Sequence, residues 1–248
     1  MAVKQVRADT TRHGLARILS KRGICSRTEA ARWIADGRVC VGGRIVRDPQ
    51  SATAETAVIA LDGVPLGKTE RVYIALNKPR GLVTTVVDER GRDTVYRCFD
   101  GAGLPWLAPV GRLDKASEGL LLFCNDPQWA ARVSDPAHGQ DKTYHVQVDT
   151  IPDAALVAAL IRGIDIDGAF LRAKSAQLLR AGGRNAWMEI VLDEGRNRQI
   201  RRLLGALDMN VLRLVRVAIG ALTLGDLPKG QWRPLADDEV RVLATSHA

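Results

Sequence analysis

Apolar positions in the first third of the chain change their period twice. Leu15, Ile18 and Leu19 recur at helical spacing and stop at Gly23. Ser26 stands three residues before Glu29, the spacing of a capping box. It opens a second helical run through Ala30, Trp33 and Ile34 that ends at Gly37. Residues 39–46 read as two short strands around Gly42-Gly43, a pair suited to a tight hairpin, and 58–61 as another strand. Two helices and a small sheet thus close near residue 62, and 63–70 (GVPLGKTE) reads as a linker. Beyond it, strands are expected at 72–76 (stopping at Lys78-Pro79), 82–87, 119–124, 142–148 and 186–192. Helices are expected at 127–133, 152–161 and 197–207, and late strands at 211–217 and 221–224. Strands predominate and do not alternate regularly with helices. The predicted class is α+β: a small N-terminal α/β domain, then a larger domain with a mixed, mainly antiparallel sheet and flanking helices. The boundaries drawn are a flexible basic tail over 1–12, a small domain over 13–62, the linker, and a large domain over 71–244.

Charge adds to this outline. The chain of 248 residues carries a net charge of +8. Residues 1–50 hold 11 Lys/Arg against 4 Asp/Glu, whereas 51–248 hold 25 against 24. A basic head on a nearly neutral body is the footprint of a nucleic-acid-binding module joined to something else. Membrane-surface binding would need exposed Trp, Phe or Leu on an amphipathic helix, and only Trp33 offers itself. The longest near-apolar run, 119–124, is far shorter than the ~20 residues a bilayer requires. No apolar block follows Lys4, Arg7 and Arg12, so no secretory signal is read and a cytoplasmic protein is expected. Cys25, Cys40, Cys98 and Cys124 form no CxxC pair and the four histidines are scattered, so neither a structural zinc site nor a disulfide framework is expected. There is no GxxxxGKS/T loop, GxGxxG, HExxH or GxSxG, which removes most support for ATP, nicotinamide, zinc-hydrolase and serine-esterase chemistry.

Some segments do carry chemistry. In the head, Arg17, Lys21, Arg22 and Arg27 lie on or beside the two helices and Arg44 on the ribbon, a set suited to phosphate contacts. In the body, Gly111-Arg112-Leu113-Asp114 delivers an Arg and an Asp to the start of an apolar strand. Tyr144 lies on an alternating strand. The run 194–202 (EGRNRQIRR) places Arg196, Arg198, Arg201 and Arg202 at the start of an expected helix. That placement opposes the helix macrodipole, a cost that is reasonable where an anion is held.

The run LARILSKRGICSRTEAARWIADGRVCVGGRIV resembles the small RNA-binding domain named after ribosomal protein S4, over about residues 13–60. That resemblance implies binding to structured RNA through backbone and shape. Residues 70–240 resemble the bacterial ribosomal RNA pseudouridine synthases of the RsuA and RluB/RluE/RluF group. The matching segments, in order, are 75–81 (ALNKPRG), GRLD at 111–114, Lys142-Thr143-Tyr144, EGRNRQIRRL at 194–203, and a tail through Ile219-Gly220, Gly230 and Trp232-Arg233-Pro234-Leu235. The resemblance implies isomerisation of a flipped-out uridine in ribosomal RNA, with no cofactor and no metal. It makes Asp114 the catalytic carboxylate, as nucleophile or as base on the sugar. It makes Tyr144 the ring that stacks on the base and assists late proton removal, and Arg201 the cation paired with Asp114. Arg112 is expected to reach into the RNA. Lys78, Arg196, Arg198 and Arg202 are expected among its RNA-binding residues, the three arginines on phosphates or in structural roles, and Leu113 and Ile200 as pocket wall. The implied partner is ribosomal RNA or an assembling ribosomal subunit, with no membrane, and a monomer is favoured. The alternative is a non-catalytic RNA-binding ribosome-assembly factor, which would be marked by loss of the Asp, the Tyr or the basic partner. All three are present. An S4-domain protein acting on tRNA would differ only in substrate.

Overall fold

The computed structural model describes residues 11–67, 69–86, 88–135 and 140–245. Most of the expected basic tail lies outside them. The chain divides into two compact units. One runs to Val72 and includes Leu104–Ala108 and Asn125–Pro127, and the other comprises the remainder.

In the first unit, β1 (Arg12–Gly14) leads into α1 (Leu15–Lys21) and α2 (Arg27–Ala35). There follow β2 (Val39–Val41), β3 (Arg44–Ile45), β4 (Ala52–Ala54), β5 (Ile59–Leu61) and β6 (Val64–Pro65). The Ser26 hydroxyl accepts a hydrogen bond from the Glu29 amide at 3.0 Å, a cap that stabilises α2 by about 1 kcal/mol. Gly42 and Gly43 both have positive φ, 55° and 80°, which turns β2 back onto β3. Leu15, Ile18, Leu19, Ala30, Ile34, Val39 and Ile59 form the core. The sheet order is β3-β2-β5-β6, with β1 paired to β4 apart from it. Val64–Pro65, expected as linker, is a strand because it pairs back onto β5.

The second unit contains β7 (Tyr73–Lys78), a 3₁₀ turn at Val95–Phe99, β8 (Ala108–Val110) and α3 (Pro127–Ser134) apart from their first residues, and β9 (Glu118–Cys124). Next come β10 (Lys142–Val148), α4 (Ala154–Arg162), β11 (Ile164–Ile166), β12 (Ala169–Leu171), β13 (Ser175–Ala181) and β14 (Ala186–Leu192). The chain continues through α5 (Gln199–Gly205), β15 (Val211–Ile219), β16 (Leu222–Thr223), β17 (Trp232–Pro234) and α6 (Asp237–Ala244). The main sheet has the order β13-β14-β10-β15-β9-β7-β17, with β16 on β15 and β8 on β9. β15 and β9 run parallel, whereas β7–β9, β17–β7, β10–β14, β10–β15 and β13–β14 are antiparallel. The mixed, mainly antiparallel α+β class is therefore observed.

Strict alternation places Ala186, Met188, Ile190 and Leu192 of β14 in one core with Val146 and Val148 of β10. Leu160 of α4 and Ile200, Leu203 and Leu204 of α5 complete it. A second core joins Ala75, Leu120 and Leu122 to Trp129 and Val133 of α3 and Leu243 of α6. Each fully buried Leu contributes on the order of 1.5–3 kcal/mol. The expected strand over 82–87 is not formed among its described residues. Val83 makes only an isolated bridge to Thr94, and the Thr84 hydroxyl bonds outside any strand ladder. The helix expected over 197–207 begins only at Gln199, because Arg198 is left-handed (φ 49°, ψ 31°).

Candidate active site

The GRLD segment is the turn between β8 and β9. Leu113 is buried, Arg112 is exposed, and the Asp114 carboxylate is 40% exposed. The loop is fastened from several sides. The Thr84 hydroxyl donates to the Leu113 carbonyl at 2.7 Å, and the Gly81 amide to the Lys115 carbonyl at 2.8 Å. The Ser117 amide closes a turn on the Asp114 carbonyl at 2.9 Å. Beneath it, Lys78 at the end of β7 has no exposed surface. Its ammonium donates to the carbonyls of Pro79 (3.1 Å), Asp114 (3.2 Å) and Ser117 (2.9 Å). Burial pushes this ammonium from its ordinary 10.5 down to about 8, although the charges of Asp114, Cys98 and Glu118 pull it upward. Lys78 was expected to contact RNA. A fully buried ammonium tied to three carbonyls cannot reach a phosphate, so its role is to hold the loop.

Glu118, the first residue of β9, anchors the other end. It is buried and accepts hydrogen bonds from Arg213 at 3.1 and 3.2 Å and from Lys229. Burial raises its carboxyl, but these two cations outweigh that and hold it below its ordinary range. At Gly119 the chain has φ +100°, and an added Cβ would lie 2.2 Å from the Arg216 carbonyl oxygen. The close approach of β9 to β15 under the loop therefore requires glycine.

The arginine run reaches the loop from α5. Buried Gln199 organises the turn ahead of it, accepting from the Arg196 amide and donating to the Arg172 carbonyl and Glu194. Arg198 donates to Asp114 Oδ2 at 3.4 Å. Arg201, one turn on, donates to the carbonyls of Ala116 (3.3 Å) and Val211 (3.4 Å). Its Nε is buried and has no hydrogen-bond partner among the described residues. Burial lowers the affinity of Arg201 for its proton, Arg198 and Arg80 add to that effect, and Asp114 opposes it. The direct partner of the carboxylate is therefore Arg198, with Arg201 close enough to feel its charge.

The remaining expected residues divide by what they touch. Tyr144 on β10 is half-buried against the core of β14 and α5, opposite Ile190 and Arg216. Ile200 is in that core as well. Arg196 is tied to Glu194 and the Phe170 carbonyl, and Arg202 to the Ile166 carbonyl and Asp167. Both brace the β11–β12 hairpin. In the first unit Arg17, Arg27 and Arg44 are exposed. Lys21 pairs with Glu55, and Arg22 donates to the carbonyls of Glu55 and Ala57. Sequence reasoning assigned nothing to Arg80, Thr84, Glu118, Arg213 or Lys229. Thr84 and Glu118 lie close to quoted motif segments and Lys229 beside the quoted Gly230, so these three could have been marked as loop supports. Among the described residues no three His, Cys, Asp or Glu side chains converge as a metal site would require, and no helix is long and apolar enough to cross a membrane.

The geometry is that of an accessible carboxylate on a braced loop, with Arg198 on it and Arg201 close by. The family model described as RNA pseudouridylate synthase matches residues 72–206, and that of the S4 domain matches 14–52. An uncharacterized RNA pseudouridine synthase of Mycobacterium leprae (strain TN) is 38% identical over 233 residues, covering 92% of this chain and 91% of the relative. One of Aquifex aeolicus (strain VF5) is 33% identical, with 92% of each chain covered. A crystal structure of pseudouridylate synthase superposes with a TM-score of 0.65 at 31% identity, over 93% of this chain and 99% of that one. These likenesses define an RNA-modifying isomerase carrying an N-terminal S4 domain. The chain belongs to the RNA pseudouridine synthase family.

Proposed function

We propose that this protein converts a specific uridine of ribosomal RNA to pseudouridine, without a cofactor, using Asp114. The observation that carries the reading is the Asp114 carboxylate: partly open to solvent, seated on a loop braced by Lys78, Thr84 and Glu118, and faced by Arg198 and Arg201. The target nucleotide leaves its stack at a cost of a few kcal/mol, repaid by contacts around the flipped base. Exposed Arg112 occupies the space it vacates. Asp114 acts at the sugar, as nucleophile on C1′ or as base. The C1′–N1 bond breaks, the uracil turns, and C1′ bonds to C5. The C5 proton is lost and N1 ends protonated, so the product is an isomer and no atoms are gained. Tyr144 stacks on the base and assists removal of that proton. Arg201 balances the charge of Asp114.

The ribosomal assignment is supported by the likeness of the five body segments to the ribosomal RNA group. It is also supported by the basic first unit, whose exposed Arg17, Arg27 and Arg44 are suited to backbone contacts with structured RNA. The experiment is a chemical map of pseudouridines in ribosomal RNA from cells lacking the protein, complemented with wild type or with Asp114→Asn. One site that disappears, returns with wild type and stays absent with the variant is the expected result. No change at any ribosomal site would remove ribosomal RNA as the substrate, and restoration by Asp114→Asn would remove Asp114 from catalysis.

A further inference from the structure

We propose that Arg198 is a detachable counter-ion: it holds the Asp114 carboxylate while RNA is absent and transfers to a phosphate of the bound strand beside the target nucleotide, leaving the carboxylate to Arg201. This deepens the reading above and rests on Asp114 being the catalytic carboxylate of an RNA uridine isomerase.

Three observations lead to it. The first is the form of the contact. Arg198 meets Asp114 through one long hydrogen bond, 3.4 Å, between side chains that are 50% and 40% exposed. An exposed pair of this kind is readily exchanged. The second is the charge count. The charges acting on Arg201 are those of Arg198 and Arg80, which work against its own, and that of Asp114, the one carboxylate among them, which supports it. Three guanidiniums and one carboxylate leave a surplus of positive charge. An RNA phosphate is the group that neutralises it, and guanidinium forks match phosphate geometry.

The third is the difference in how the two arginines are mounted. Arg201 is fixed: it lies within α5, half-buried, with its terminal nitrogens on the Ala116 and Val211 carbonyls and a buried Nε unfilled. Its hydrogen bond to Ala116 attaches it to the same loop that carries Asp114. Arg198 has a fixed backbone and a half-exposed side chain held by the one long bond to Asp114. It adopts φ 49°, ψ 31°, and its carbonyl accepts the Arg202 amide at 2.9 Å to start the helix. A non-glycine residue is held in that conformation only where its surroundings enforce it. The enforced backbone aims a long solvated side chain over the carboxylate. Arg201 can therefore remain with Asp114 while Arg198 moves.

The test uses the full-length protein with Arg198→Ala and Arg198→Lys. Single-turnover tritium release is followed from ribosomal RNA transcripts labelled with [5-³H]uridine, at several KCl concentrations. Arg198→Ala should raise the half-saturating protein concentration about tenfold, as expected for one lost charge-assisted hydrogen bond, with the maximal rate kept within about threefold. The slope of log affinity against log salt should shrink by about 0.7–0.9, the loss of one phosphate contact. Arg198→Lys should restore most of that slope, because a point charge suffices for a phosphate. A maximal rate cut tenfold or more at unchanged half-saturation would mean that Arg198 stays on Asp114 throughout, and would overturn the proposal. An unchanged salt slope would do so too. Failure of the wild type to release tritium from any ribosomal transcript would instead overturn the substrate assignment, and this inference with it.

Discussion

Replacing Lys78 by Met removes a buried charge while nearly keeping the side-chain length, and two opposed effects follow. Three carbonyls, those of Pro79, Asp114 and Ser117, lose their donor. At roughly 1–3 kcal/mol for each stranded buried group, the loss is about 3–9 kcal/mol. Against it stands the relief of ammonium burial. Lys78 lies at about 8 when folded and 10.5 when unfolded. Because the folded value is the lower one, the cost of charging Lys78 is borne in full below pH 8 and fades as pH rises towards 10.5. That cost is about 3 kcal/mol. The net destabilisation at pH 7 is therefore about 3 kcal/mol at the middle of that range, and the gap between the two proteins should widen by about 2–3 kcal/mol by pH 10. Urea unfolding followed by tryptophan fluorescence at pH 7 and pH 10 measures both numbers. Cys25 and Tyr96, each pushed up to about 12 by burial, make both proteins less stable as pH rises, and they cancel in the difference. A gap that stays constant with pH would refute the burial argument. Turnover on RNA should fall about 100-fold in the variant, since a loop displaced by an ångström misplaces Asp114.

Two further outcomes are expected around the same loop. Gly119→Ala puts a Cβ 2.2 Å from the Arg216 carbonyl oxygen at φ +100° and should destabilise by 3 kcal/mol or more, on the order expected for backbone strain with a steric clash. Thermal unfolding or loss of soluble protein would register it, and a native melting temperature would contradict it. Glu118→Gln keeps the side-chain shape and an acceptor oxygen but removes the charge, and should cost about 1–3 kcal/mol at pH 7. Because Arg213 and Lys229 hold the folded carboxyl below its ordinary 4.5, that contribution is present above pH 4.5 and is lost as pH falls through the folded value. Wild type and variant should therefore converge in stability as pH falls below 4.5 and through the folded value, and a difference that does not shrink below pH 4.5 would argue against it.

The sequence disclosed the parts of the fold whose side chains report their surroundings. β14 alternates buried and half-buried along its whole length, and β9 is buried at every residue, so each announces its environment. β13 does not: as the edge of the sheet it is mostly exposed, and SAQLLRA carries no period. The run 82–87 is rich in β-branched residues, yet Thr84 uses its hydroxyl to hold Leu113, a contact no local propensity can express. At the site, the linear motif supplied the right residue types but not their rotation about the chain. Only the left-handed turn at Arg198 determines that this arginine touches Asp114. Lys78 misled for a general reason: lysine is almost never fully buried, and an exposed role was the natural expectation.

The parallel pairing of β9 with β15 also bears on how the molecule comes into being. Glu118 pairs with Val215, and Leu76 of β7 with Trp232. Neither bond of the sheet can close locally, because about a hundred residues or more of intervening chain must first be ordered. Such contacts delay folding. On a ribosome that releases the chain from its N-terminus, the first unit can fold while the second still lacks its central and edge strands. The support of Asp114 draws on residues 78, 84, 201, 213 and 229, so the Asp114 carboxylate is positioned only when synthesis is nearly finished. A growing chain is thus a folded N-terminal domain before it is a competent catalyst.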